Sequence, residues 1–232
     1  LENIENTGPD LPAKLKNLFR NFSLMIGSYF LFFMLLSFLH SWFPGLDLEQ
    51  YQQSELFEMM KKSPWKFFFL AAIAAPVMEE SIFRSLVKPS VADIKLFLCA
   101  LLFIGALAII PEKANWILRY TLVFITISLF YYAMGELIPE KYFLKISDLL
   151  KRWYLPFWLV GAVIFGMVHV FNYVEGLYFD LVLFILIFPR IIAGFFCGKI
   201  KIENRGIFWP ILLHSMNNSI VLLLMYPFSE GV

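Results

Sequence analysis

Three groups of polar residues stand inside otherwise apolar stretches, and their types can do chemistry together. AAPVMEESIFRSLV carries Glu79, Glu80 and Arg84. FGMVHVFN carries His169 and Asn172, with Phe165 one turn ahead of the histidine, and ILLHSMNNSI carries His214, Asn217 and Asn218. A carboxylate can take a proton from water, and a neutral imidazole beside it can hold that water or share the proton. A second imidazole with an amide can donate hydrogen bonds to a developing oxyanion. Hydrolysis of an amide or ester is the reaction such a set supports. Other hydrolase signatures are missing: no H-E-x-x-H zinc helix, no G-x-S-x-G nucleophile elbow and no Gly-x-Gly-Asp. Zinc on Glu79, His169 and His214 stays open as an alternative, because two His and one Glu can form a catalytic zinc site.

Helical spacing sorts these residues further. Glu80 and Arg84 are i,i+4 neighbours with the acid first, the better order for an ion pair. Glu79 points about 100° away from Glu80, free to face another partner. Phe165, His169 and Asn172 share one face, as do His214 and Asn218. An ionisable group at the bilayer centre costs roughly 2.5–3.5 kcal/mol on insertion scales, so the three polar faces are expected to turn toward each other. Each residue alone has a plainer reading: a buried bridge for Glu80–Arg84, helix-to-helix hydrogen bonding for the His and Asn residues, packing for Phe165. Together they exceed what packing needs. Pro76, three residues before Glu79, is expected to free a backbone carbonyl near them.

The elements that carry these groups follow from composition. Hydrophobic residues make up 60% and charged residues 16% of the 232 residues, against about 45–50% and 25% in soluble domains. A globule of this size cannot hide that surface, so lipid must solvate part of it, and disorder is excluded on the same ground. A net charge of +1 gives no reason to expect nucleic acid. Cys99 and Cys197 lie in apolar runs and suggest no disulfide scaffold. Crossing a core of about 30 Å takes roughly 20 helical residues. Seven windows qualify: 21–43, 64–87, 94–111, 115–137, 154–173, 178–198 and 207–226. The expectation is an all-α, polytopic transmembrane helix bundle of about seven spans, six to eight. Residues 1–20 read as a polar, mobile tail with no cleavable signal peptide, and 21–63 as a first span and connector. The segments 44–63 and 138–153 have scattered apolar positions and read as interfacial amphipathic helices.

Lysine and arginine set the orientation. With the N-terminus inside, twelve lie on inner segments: Lys14, Lys16, Arg20, Lys88, Lys95, Lys141, Lys145, Lys151, Arg152, Lys199, Lys201 and Arg205. Five lie outside: Lys61, Lys62, Lys66, Lys113 and Arg119. Arg84 and Arg190 fall within spans and are set aside. This places the N-terminus in the cytosol and Glu175, Glu230 and the C-terminus outside. Size and the high Phe and Lys content suggest a bacterial inner membrane. A water path to Glu79 and His214 is expected from the basic inner face.

Glu79-Glu80-x-x-x-Arg84 resembles the first motif of the CPBP family, which holds CAAX prenyl proteases and bacteriocin-processing or Abi proteins. Phe165-x-x-x-His169 resembles its second motif and His214-x-x-x-Asn218 its third. The resemblance covers roughly 70–226 and makes 64–226 a CPBP-like catalytic bundle. It implies an intramembrane endopeptidase of glutamic type that needs no cofactor. By that likeness Glu79 is the base, His169 helps to activate water, and His214 and Asn218 form the oxyanion site. Glu80 and Arg84 support the first helix. Phe165 and Asn172 stand beside these groups as supporting residues. The implied partners are the bilayer and a membrane-bound protein or peptide substrate, hydrophobic or lipidated. About 80 residues separate Arg84 from Phe165, room for two additional spans. Two other classes stay open: a non-catalytic immunity or chaperone-like membrane protein, and a proton-coupled transporter using Glu79. The transporter predicts internal repeats, and none is visible.

Overall fold

The computed structural model describes residues 8–43, 45–110, 115–176 and 178–229. Lys113 and Glu230, used in the orientation, and the first seven residues of the expected tail lie outside the described residues. The described residues are helical nearly throughout, and six helices are long and apolar enough to cross a membrane.

Helix α1 spans Leu11–Trp42. It starts where the Asp10 carboxylate accepts the Ala13 N–H at 3.0 Å, with Pro12 in the first turn where its missing N–H costs nothing. At 32 residues it is about 48 Å long, well beyond a bilayer core. Residues 11–20, expected in the tail, are therefore its first turns. Their polar side chains are held rather than free: Asn17 Nδ2 donates to Asn204 Oδ1 at 2.8 Å, and Arg20 pairs with Glu203 at 2.7 Å.

A short amphipathic helix, α2 (Ser54–Lys62), lies in the first connector. The window 64–87 is not one regular span. It is α3 (Pro64–Phe69), a π-helical turn (Leu70–Ala74) and α4 (Ala75–Phe83), helical without a break. The run from 64 to 83 spans about 30 Å at 1.5 Å per residue, enough to cross. Next come α5 (Val91–Ile109), opened by a capping box between Ser90 and Asp93, and α6 (Trp116–Leu137). These are the two additional spans expected before Phe165. Amphipathic α7 (Glu140–Arg152) follows, then α8 (Tyr154–Val168), which tightens into a 3₁₀ turn over His169–Asn172. Helix α9 (Leu181–Asn204) and α10 (Phe208–Ser229) close the chain. Helix α9 runs past the expected boundary at 198 because its polar end is partnered. Lys199 reaches Glu203 and Asn21 at 2.9 Å each, and Lys201 reaches Asp93 at 2.6 Å.

Helix α9 is the hub, packed against α8, α1 and α10. Its contact with α8 runs along Gly194-x-x-x-Gly198, a small-residue stripe that lets helix backbones approach in lipid. A Cβ on Gly194 would sit 3.0 Å from Ala162 Cα, and one on Gly198 would collide with the Trp158 indole. That indole is stacked on Phe195 and donates Nε1–H to the Phe195 carbonyl at 2.8 Å. The buried core gathers Leu18, Met25, Phe165, Phe196, Cys197 and Leu213 from α1, α8, α9 and α10. Phe30, Phe124, Leu129 and Leu223 stand more than 60% exposed, as lipid-facing side chains do. Directions follow from contacts. Lys88, just after α4, lies over the Tyr154 ring that begins α8, so α4 and α8 are antiparallel. Along α10, His214 meets Glu80 and Asn218 meets Ala71, so α10 also runs against the α3–α4 helix.

Candidate active site

Glu80 and Arg84 anchor the site from below. Both are buried, and Arg84 Nε lies 3.2 Å from Glu80 Oε2 across the expected i,i+4 turn. The guanidinium finds no further acceptor among the described residues. Instead its Cζ lies 4.5 Å from the centroid of the Phe165 ring, a cation–π contact that gives the desolvated charge a second favourable neighbour. Phe165 in turn meets the His169 ring at 4.8 Å and the His214 ring at 5.5 Å, edge to face. One aromatic ring thus touches the cation and both imidazoles.

The two histidines are held by their Nδ1 atoms. His169 Nδ1 is 2.7 Å from the Phe165 carbonyl, which can only accept, so the proton sits on Nδ1 and the neutral ring keeps an unprotonated Nε2. His214 Nδ1 donates to Glu80 Oε1 at 2.8 Å, and its Nε2 lies 3.8 Å from Glu79 Oε2. Glu80 therefore spans Arg84 and His214, while Glu79, turned away on the same helix, faces His214 from the other side. No hydrogen bond joins Glu79 to His169 among the described residues. They meet as walls of one cavity.

The π turn explains where Asn218 goes. Its wide register shows in Ala75 N–H bonding back to the Leu70 carbonyl. In that register the next residue would serve Ala71, but Pro76 has no N–H. Asn218 Nδ2 donates to the freed Ala71 carbonyl at 2.8 Å, and Asn217 Nδ2 donates to Asn218 Oδ1 at 3.2 Å. The carbonyl expected from Pro76 is thus present. It occupies one of the two Nδ2 hydrogens of Asn218 and leaves the other.

Glu79, His169, Asn172, His214, Asn217 and Asn218 all line a cavity of about 690 Å³, with Phe165 at its floor. Tyr29, Ala71 and Arg190 are among its wall residues that escaped the sequence reading. Tyr29 comes from α1, outside the motif-bearing region, and the Ala71 segment has no polar side chain. Arg190 carried a usable signal, since it is a charge in the middle of an apolar span, but it was set aside with the topology count. The cavity does not open where it was expected. Its outer walls are Phe32 and Phe33 of α1, Gln53 and Phe57 at α2, Tyr173, and Leu222 and Met225 of α10. These belong to the end of the bundle with the 44–63 and 173–180 connections. The basic end, with α7 and Lys199–Arg205, lies opposite. There the Glu80–Arg84–Phe165 floor and the α8–α9 glycine contact seal the helices together, and Lys201 is itself buried against Asp93.

The zinc alternative, Glu79, His169 and His214, is not among the groups of three whose donor atoms all lie within 4.8 Å of one another in the described residues. Among the described residues, the His, Cys, Asp and Glu atoms close enough to share an ion belong to Glu80, Cys197 and His214. Glu80 is already committed to Arg84 and His214, and a cation there would face the guanidinium. This donor set does not suit a metal.

No curated protein and no solved structure matched the chain. One family model, Type II CAAX prenyl endopeptidase Rce1-like, matches residues 61–220, which include all three motifs. The chain belongs to that family, and it is a membrane-embedded peptide hydrolase.

Proposed function

We propose that this peptidase cleaves a hydrophobic or lipidated membrane-associated substrate by the glutamic route. Water attacks the scissile carbonyl while Glu79 takes its proton. The oxyanion accepts from the remaining Nδ2 hydrogen of Asn218 and from Nε2 of His214 in its imidazolium form, which carries one hydrogen on each nitrogen and keeps the Nδ1 hydrogen on Glu80. Glu79 then returns the proton to the departing nitrogen, giving a new amine and a new carboxylic acid, which releases its remaining proton to solvent as it ionises. His169, with its Nε2 free of hydrogen, orients the attacking water. Glu80 positions His214 and neutralises Arg84, and Phe165 and Asn172 complete the wall. The observation that carries this reading is the 3.8 Å approach of Glu79 to His214 in a cavity shared with His169 and Asn218.

The reading uses no metal. Purified protein given a lipidated peptide should keep its turnover in a strong chelator, with far less than one zinc per chain. Loss in chelator with recovery on zinc would replace it by the zinc mechanism. From the charge bias we also place the N-terminus in the cytosol, in a bacterial inner membrane, with the catalytic bundle over 64–226. The cavity then opens on the outer face.

A further inference from the structure

Helix α7 lies at the basic end of the bundle, away from the cavity, and is fastened there along its length. Phe143 packs with Ile94, Cys99 and Met134 of α5 and α6. Ser147 Oγ donates to the Pro89 carbonyl at 2.7 Å. Lys88 Nζ lies 4.1 Å from the ring centroid of Tyr154, just past the end of α7. Both ends of the helix are thus held at the same end of the bundle, so its 13 residues run along that surface for about 20 Å rather than entering it. The helix also braces the site from outside, since Pro89 follows α4 and Arg152 leads into α8.

Phe143 and Ser147 use only one side of α7. Tyr142, Ile146, Leu149 and Trp153 fall within about 60° of arc at 100° per residue, and they stand 45% to 61% exposed. Of the exposed large apolar residues of α7, only Leu144 stands off this stripe. Along the edge of the stripe away from Phe143 run Lys141, Lys145 and Arg152, within about 40° of one another. Asp148 is one turn from both Lys145 and Arg152, yet it pairs with Lys151, at 3.6 Å. Among the described residues Lys145 and Arg152 have no acid, and Lys141 rests on the Tyr142 ring at 5.3 Å. An exposed apolar stripe edged by cations, on a helix lying along the surface, matches the boundary between acyl chains and head groups. A soluble acidic partner would answer the cations and leave the stripe in water. A leaflet holding anionic lipid answers both at once.

We propose that α7 is a docking site for anionic phospholipid, with Tyr142, Ile146, Leu149 and Trp153 among the acyl chains and Lys141, Lys145 and Arg152 at the head groups. The claim is independent of the cleavage chemistry. Its test titrates the full chain in detergent with phosphatidylglycerol or phosphatidylcholine and counts bound lipid by native mass spectrometry. Each cation near an anionic surface is worth about fivefold in affinity, so the wild type should prefer phosphatidylglycerol by about 25-fold or more. Lys145→Gln with Arg152→Gln should bring the two lipids to within about fivefold. Lys145→Arg with Arg152→Lys keeps both charges and should keep the preference, which controls for folding. Lys62→Gln with Lys66→Gln removes the same charge at the opposite end and should keep it too. In nanodiscs, phosphatidylglycerol should raise the thermal midpoint of the wild type over that in phosphatidylcholine, and should not do so for the Gln pair on α7. Equal binding of the two lipids to the wild type would overturn the proposal, as would a preference that survives the Gln pair on α7. A preference lost equally at Lys62 and Lys66 would trace it to net charge and overturn it as well. Polyglutamate displacing phosphatidylglycerol at lower concentration than the lipid itself binds would assign α7 to an acidic protein partner and overturn it.

Discussion

Arg84 is buried with one carboxylate and the Phe83 and Phe165 rings to answer its charge, so its removal leaves Glu80 in a span with only His214 beside it. Breaking one partner out of a buried pair costs about 3–5 kcal/mol. Arg84→Ala should therefore lower the thermal midpoint and folded yield together with turnover. An unchanged midpoint with abolished turnover would instead give Arg84 a direct part in the reaction. At this scale most of the site was legible. Glu79, Glu80, Arg84, His169, His214 and Asn218 were identifiable because charge and amide groups in lipid-length apolar runs are expensive. The i,i+4 rule correctly paired Glu80 with Arg84. It could not show that Glu80 also holds His214, a contact between positions 134 residues apart. Arg190 was missed because a charge set aside from the topology count was not weighed as a charge lining a cavity.

Helix α8 must lie close on α9 for Phe165 and His169 to reach the site, and two glycines permit it. A Cβ on Gly198 would meet an indole pinned by stacking on Phe195 and by a hydrogen bond to its carbonyl. Gly198→Ala should therefore push the helices apart, at the 1–3 kcal/mol typical of overpacking. A fall in thermal midpoint with a rise in the activity loss as Ala is enlarged to Val would follow. A midpoint equal to wild type would show that the indole yields freely. Hydrophobic windows located the spans well because length and apolarity are local properties. They missed the ends of α1 and α9, where polar residues continue as helix because Asn17, Arg20, Lys199 and Glu203 satisfy each other across the pair. They also read 64–87 as an ordinary span, since nothing local to LAAIA announces a π turn. Pro76 gave the one hint, the freed carbonyl.

For the whole molecule, the cavity mouth and the basic end lie at opposite poles of the bundle. The sequence placed them together because depth was judged from window midpoints. Sealing by the α8–α9 contact depends on side chains that no hydropathy window resolves. If the basic end is cytosolic, a cysteine placed at Gln53 or Leu222, in a background lacking Cys99 and Cys197, should react with an impermeant thiol reagent in intact cells. A cysteine at Lys145 should react only in inside-out vesicles. The reverse pattern would turn the molecule over and open the cavity to the cytosol, leaving its chemistry unchanged.

In the proposed mechanism Glu79 is the residue on which the reaction depends, and its isosteric amide keeps size and hydrogen bonding while removing the base. The decisive measurement is turnover of a lipidated peptide by purified Glu79→Gln beside the wild type, with the thermal midpoint of each and the affinity of each for the substrate. General-base catalysis contributes typically 10²–10⁴-fold, so kcat should fall by at least about 100-fold, with midpoint and affinity close to wild type. A Glu79→Gln enzyme that turns over within a few-fold of wild type would contradict water activation by Glu79.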